Sequence, residues 1–147
     1  MEIRKAKPKD SKIIANFNVL LAKESENENI QYKKTLNAVK KLISNENKGF
    51  YLVASENNKI IGQLMITFEF SDWNNEDFWW IQSVYVDKNF RKKGVFKNLL
   101  EKVKNLAQKN NVSKIRLYVY NKNNKAIKTY KALDMRKKDY IIFETTT

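Results

Sequence analysis

The sequence predicts one α/β domain spanning residues 1–147, a mixed and mostly antiparallel sheet flanked by helices in the order β-αα-βββ-α-β-α-β. Three observations predict it. A chain of 147 residues with 42% apolar and 12% aromatic side chains can bury one core despite 31% charged residues. Apolar residues recur at helical spacing in several segments, and the stretches between them are β-branched and aromatic runs bounded by Asn- and Asp-rich turns. No linker, internal repeat or low-complexity segment interrupts the pattern.

Each element has its own signal. Glu2–Ala6 reads as a first strand stopped by Pro8, the sole proline. Asp10 is placed to cap a helix whose apolar face is Ile13, Ile14, Phe17, Leu20 and Leu21, and the acidic, Asn-rich Glu24–Asn29 ends it. A second helix presents Tyr32, Leu36, Val39, Leu42 and Ile43, with Gly49 as a terminator. Phe50–Ser55, Lys59–Phe70 and Phe78–Val86 then read as an antiparallel meander with turns at Glu56–Asn58 and Asp72–Asp77. Val95, Phe96, Leu99, Leu100, Val103, Leu106 and Ala107 form one helical stripe. Lys114–Tyr120 alternates as a strand, Ala126, Ile127, Tyr130 and Leu133 mark a last helix, and Tyr140–Phe143 a last strand.

Composition removes whole classes of chemistry. With no Cys and no His, the chain has no disulfides, no Cys or His metal site, no Cys nucleophile and no Ser-His-Asp triad, and no metal is expected. The charged N-terminal stretch and short apolar runs predict neither a signal peptide nor a membrane span, so a cytoplasmic protein without membrane contact is expected. The net charge of +13 suggests nucleic acid, but 25 of the 29 basic residues are Lys and only 4 are Arg, the usual reader of phosphates and guanine edges. A biased genome with A/T-rich codons would produce the same Lys and Asn excess. The charge is also uneven. Residues 60–87 carry no base and a net −5, whereas residues 88–147 carry a net +13. Burial in strands explains the missing Lys but not the four acids between Glu69 and Asp77.

One turn is suited to an anion. Gly94 falls between a strand and a helix, just after Arg91, Lys92 and Lys93. A helix start with a backbone that can be approached closely offers unpaired N–H groups and a favourable dipole to a phosphate or pyrophosphate. The segment has neither the Gly-Lys-Ser/Thr of a Walker loop nor the three-glycine dinucleotide turn. Taken alone, it reads equally well as a basic turn with a convenient glycine.

With the next helix included, the chain resembles the GNAT superfamily of acyl-CoA-dependent N-acetyltransferases. Arg91, Gly94 and Phe96 stand at the spacing of the family's Arg/Gln-x-x-Gly-x-Gly/Ala loop, and Asn123, Ala126 and Tyr130 match its Asn-x-x-Ala-x-x-x-Tyr signature. The resemblance covers nearly the whole chain and implies the GNAT fold with acetyl-CoA as cosubstrate. It implies that the strand end Val84-Tyr85-Val86 splays at a bulge and pairs its backbone with the pantetheine arm. Backbone amides of Lys92, Lys93, Gly94, Val95, Phe96 and Lys97, behind Arg91, would hold the pyrophosphate. Asn123 would bond the pantetheine, and the Tyr130 hydroxyl would face the CoA sulfur as general acid. Two residues depart from the pattern: Phe96 replaces the second Gly or Ala, and Asp134-Met135 replaces a common Gly-Phe.

The resemblance and the charge map together set the expected chemistry. Without Cys or His to carry an acyl group, a bound amine attacks the thioester directly, with positioning supplying much of the rate. Gln82 stands where several family members place a glutamate base, and an amide cannot serve, which leaves Glu69, acting through water, as the catalytic base. The expected acceptor is a small cationic amine, a polyamine or basic amino acid, met by Glu24, Glu26, Asp72 and Gln82, with Glu28 adding to the rim. The paired Trp79 and Trp80 read as half core and half surface, where one could form a substrate wall. A protein lysine or N-terminus is the alternative acceptor, and a nucleic-acid-binding module using the basic C-terminal half is the rival class. A homodimer is compatible with the sequence.

Overall fold

The computed structural model describes residues 1–147. Its elements are β1 (Glu2–Lys5), a short 3-10 turn at Pro8–Asp10, α1 (Ser11–Glu26), α2 (Tyr32–Ile43), β2 (Phe50–Glu56), β3 (Lys59–Ser71), β4 (Glu76–Val86), a second 3-10 turn at Lys88–Phe90, α3 (Val95–Lys109), β5 (Ile115–Arg116) and α4 (Asn124–Ala132). The five strands lie in sequence order in one sheet. β1 to β4 are antiparallel neighbours, and β5 is parallel to β4. No helix is long and apolar enough to cross a membrane.

Two cores flank this sheet. On one face, the α3 stripe Val95, Phe96, Leu99, Leu100, Val103 and Ala107 packs on Leu52, Leu64, Ile66, Trp79 and Ile81. Each buried Leu or Val there contributes about 1.5–3 kcal/mol. On the other face, Ile14, Ala15 and Val39 of α1 and α2 cover Tyr51 and Val53. Helix α4 has no fully buried residue and rests on the first core through Tyr130 and Leu133.

Four expectations need correction. Tyr140–Phe143 forms no strand: these side chains are 77%, 79%, 76% and 88% exposed, and the chain after Met135 adds no rung to the sheet. Strand β5 is two residues long instead of seven, because β4 diverges from it beyond the Trp80–Arg116 pair. Gly49 does not end α2, which stops at Ile43. It starts β2 with φ +142°, where a Cβ would lie 2.0 Å from the Ile66 carbonyl oxygen, so the close approach requires glycine. The Asp10 side chain does not cap α1.

Asp10 instead turns back. It is 4% exposed, accepts two bonds from the Arg4 guanidinium at 2.7 and 3.2 Å, and accepts a third from the Lys7 N–H at 2.7 Å. Burial alone would raise its pKa, but the bonds from Arg4 and Lys7 outweigh that and hold it below the ordinary carboxylate value. The pair thereby ties β1 to the start of α1. Its contribution is fully present above the unfolded carboxyl value near ~3.9 and is lost as pH falls through the lowered folded value. Asp10→Asn is expected to lower stability by about 2 kcal/mol in urea unfolding at pH 7, the scale of a hydrogen bond to a charged group. The difference from wild type should shrink at pH 3, and a deficit that persists there would assign the effect to shape rather than charge.

Candidate active site

Strand β4 builds the site by breaking its own ladder. Gln63 of β3 opposes Tyr85 and Met65 opposes Gln82, so Ser83 and Val84 share the single position facing Leu64. This is a β-bulge, and Ser83 adopts φ +50° within it. A buried polar group braces it from the α1 side. The Gln63 amide nitrogen donates to the Asn18 Oδ1 at 2.7 Å and reaches the Ser83 carbonyl at 3.4 Å, and the Asn18 amide donates to the Tyr51 hydroxyl at 3.1 Å. Burial pushes the Tyr51 hydroxyl above its ordinary pKa, opposed in part by bonds with Asn18 and Ser83. Past Trp80, β4 and β5 are no longer paired, and the ends of the two strands part. The Val84-Tyr85-Val86 segment is the arm beyond the bulge.

The loop after this arm is made of donors. Lys92 and Gly94 both take left-handed conformations, φ +62° and +75°, immediately before α3. The first bond into the helix is from the Asn98 N–H to the Gly94 carbonyl, and none of the backbone N–H groups from Arg91 through Lys97 is engaged within the protein. A Cβ on Gly94 would meet nothing closer than the Asn98 amide at 3.8 Å, so the cradle is open on that side. Lys92, Lys93 and Lys97 have no carboxylate partner, and Lys93 rests 5.1 Å from the centre of the Phe90 ring. Unpaired N–H groups in a nest of alternating backbone hand, at a helix start, are suited in geometry and charge to an anion. The Phe96 side chain points into the core, with its ring 5.5 Å from that of Tyr130.

Tyr130 stands on α4, half-buried, and burial raises its hydroxyl pKa, so the group keeps its proton at neutral pH. The Asn123 Oδ1 caps α4 by accepting the Ala126 N–H at 3.1 Å. The Asn123 amide nitrogen remains for another partner.

The sheet face opposite α3 carries several of the remaining expected residues. Trp79 is buried in the α3 core, whereas Trp80 faces the other way, 5.7 Å from the Tyr118 ring. Glu69 lies opposite Phe78 and pairs with Arg116 at 3.2 Å, with the guanidinium over the Phe78 ring. Gln82 donates to the Thr67 hydroxyl at 2.7 Å and accepts from Tyr118 at 3.4 Å. Glu69 is four residues beyond Met65, the residue facing Gln82, or about 13 Å along the strand at roughly 3.3 Å per residue. Asp72 is further still, in the turn between β3 and β4. Glu26 is exposed at the end of α1, and both oxygens of Glu24 are occupied, by Tyr85 and Arg91. Gln82 and Glu69 therefore share one face of the sheet, whereas Asp72 lies in the turn and Glu24 is bonded to Tyr85 and Arg91.

Asn18, Tyr51, Gln63, Ser83 and Arg116 were not expected from the sequence. Only Gln63 gives a signal there, as a lone amide inside the apolar run Ile60–Ile66.

Known proteins share this architecture. No curated protein sequence matches the chain. A possible acetyltransferase from Clostridium difficile 630 is 43% identical, with a TM-score of 0.93 over 99% of this chain and 97% of that one. A predicted acetyltransferase from Clostridium acetobutylicum, solved with acetyl-CoA, is 22% identical, with a TM-score of 0.82 over 98% of this chain and 95% of its own. An aminoglycoside antibiotic 6′-N-acetyltransferase from Acinetobacter haemolyticus shares the fold at 14% identity and a TM-score of 0.79, over 100% and 99% of the two chains. A model of the acetyltransferase (GNAT) family matches residues 16–135. By that match and the 43% identity to the clostridial protein, the chain belongs to the GNAT acetyltransferase family.

Proposed function

We propose that the protein moves an acetyl group from acetyl-CoA directly to a primary amine of a small cationic molecule. The observation that carries the cosubstrate is the unbroken run of unengaged N–H groups from Arg91 to Lys97 around left-handed Lys92 and Gly94. Lys92, Lys93, Gly94 and Lys97 are exposed, so water can reach this stretch, and a diphosphate can take the place of that water and satisfy several donors at once. Bound acetyl-CoA supplies an activated thioester. The chain's part is to hold, orient and move protons. The bulged arm Val84–Val86 offers backbone groups to the pantetheine, and the Asn123 amide nitrogen offers one more donor. Tyr130, kept protonated by burial, donates to the departing sulfur.

The amine must arrive neutral. For a lysine-like group with a pKa near ~10.4, losing the proton at pH 7 costs about 4–5 kcal/mol. Gln82 cannot take it, and Glu69 is some distance along the strand and already paired with Arg116. Water therefore carries the proton away, and Glu69, bonded to Arg116 through Oε2 alone, offers its Oε1 to the acceptor's distal charge. A molecule lying over Trp80, with one amine at the bulge and a second cation toward Glu69, spans that distance. The Trp80 and Tyr118 rings supply an apolar and cation-friendly wall.

Four measurements test the reading. Gly94→Glu puts a charged side chain on a left-handed residue in the cradle. It should raise the acetyl-CoA Kd at least about 10-fold in calorimetry, near the scale of one charge-assisted hydrogen bond, with an unchanged circular dichroism spectrum. Unchanged affinity would move the diphosphate elsewhere. Tyr130→Phe should reduce kcat by about 10²-fold, the low end for a general acid, with acetyl-CoA binding nearly intact. In the wild type, kcat should show no alkaline decline from Tyr130 below pH ~10, because the raised pKa keeps its acid form. A diamine should exceed a monoamine of equal length in kcat/KM, and the advantage should fall in Glu69→Gln. Equal values for the two amines would remove the cationic acceptor.

A further inference from the structure

Glu24 joins three segments that the reaction has to align. Its Oε1 accepts the Tyr85 hydroxyl at 3.0 Å and its Oε2 accepts Arg91 Nη2 at 2.5 Å. Arg91 also donates from Nε to the Val86 carbonyl at 2.9 Å, with its guanidinium 5.3 Å from the centre of the Tyr85 ring. The last turn of α1 is thus tied to the arm beyond the bulge and to the first residue of the donor loop. Two residues after Glu26, the chain has already turned through Asn27 at φ +55° into the exposed connection to α2. Of the loop's basic side chains, Arg91 alone is committed to a carboxylate.

We infer that Glu24 is a positioning residue that makes the two halves of the cleft answer to each other. This rests on the reading that residues 91–97 receive the diphosphate of acetyl-CoA. A diphosphate there carries more charge than Glu24 and competes for the same guanidinium. In the unliganded protein, Glu24 holds Arg91 and thereby holds the end of α1 against Tyr85. When the diphosphate draws Arg91 toward the loop, the carboxylate loses its stronger partner. The last turn of α1 and the connection to α2 are then released beside the acceptor face. An exposed ion pair is a weak contact, which suits one that has to be exchanged in each turnover.

The inference separates from a static surface contact by the sign of one effect. Glu24→Gln removes the competing charge and leaves Arg91 bonded to Val86, so acetyl-CoA should bind about two- to fivefold more tightly by calorimetry. Glu28→Gln removes an equal charge from the same end of α1 without touching Arg91, and should shift the Kd less. Hydrogen exchange over residues 22–31 should rise in the wild type at saturating acetyl-CoA, and should already be high in Glu24→Gln without it. Weaker or unchanged binding in Glu24→Gln, an equal shift in Glu28→Gln, or wild-type exchange that does not rise would each overturn the coupling. Wild-type affinity in Gly94→Glu would instead overturn the diphosphate site, and the coupling with it.

Discussion

Backbone hydrogen bonding is close to obligatory in a folded chain, and this protein is organised around two places where it is withheld. Strand β4 gives up its ladder at Ser83, and the loop into α3 leaves a run of N–H groups with no internal acceptor. The two places follow each other in sequence, so one length of chain from Ser83 to Lys97 holds both the bulge and the run of free donors. The rest of the fold carries the cost. A residue such as Ser83 with positive φ is strained by about 1–2 kcal/mol. The surrounding polar brace of Gln63, Asn18 and Tyr51 holds it there from inside the core. Helix α3, buried through Val95, Phe96, Leu99, Leu100, Val103 and Ala107, keeps the donor loop at its start fixed relative to the sheet.

The sequence showed what depends on local pattern. The α3 stripe, the meander and the Asn123-to-Tyr130 spacing are periodicities or motifs within one element, and the structure forms each of those elements. Gly94 was legible as the turn residue before α3, where the structure gives it a left-handed φ of +75°. Contacts across long separations were not legible. Glu24 meets Tyr85 and Arg91 across 61 and 67 positions, and nothing in an acidic Asn-rich stretch distinguishes it from Glu26. Ser83 is an ordinary residue in a β-rich run, and its bulge is set by the register of two strands. Asp10 has the ordinary signature of a helix cap, but Arg4 offered a stronger partner.

The expected last strand failed for a related reason. Tyr140–Phe143 has the composition of a strand, but composition gives propensity without a neighbour. Once β5 has diverged from β4, it offers only a two-residue ladder for a further strand to extend. The parting of β4 and β5 thus also limits the sheet at that edge.

That limit bears on how copies of the molecule behave together. Four consecutive large apolar side chains, β-prone and exposed, are an adhesive patch of the kind that draws chains into disordered contact. Arg136, Lys137 and Lys138 precede the patch, on a chain whose net charge is +13. At low ionic strength this excess keeps approaching molecules apart before the apolar run can touch. At physiological salt, where fields decay over about 8 Å, the protection acts only at close range. The Lys-rich composition is therefore a condition of colloidal stability for this fold, with a margin that narrows as salt rises.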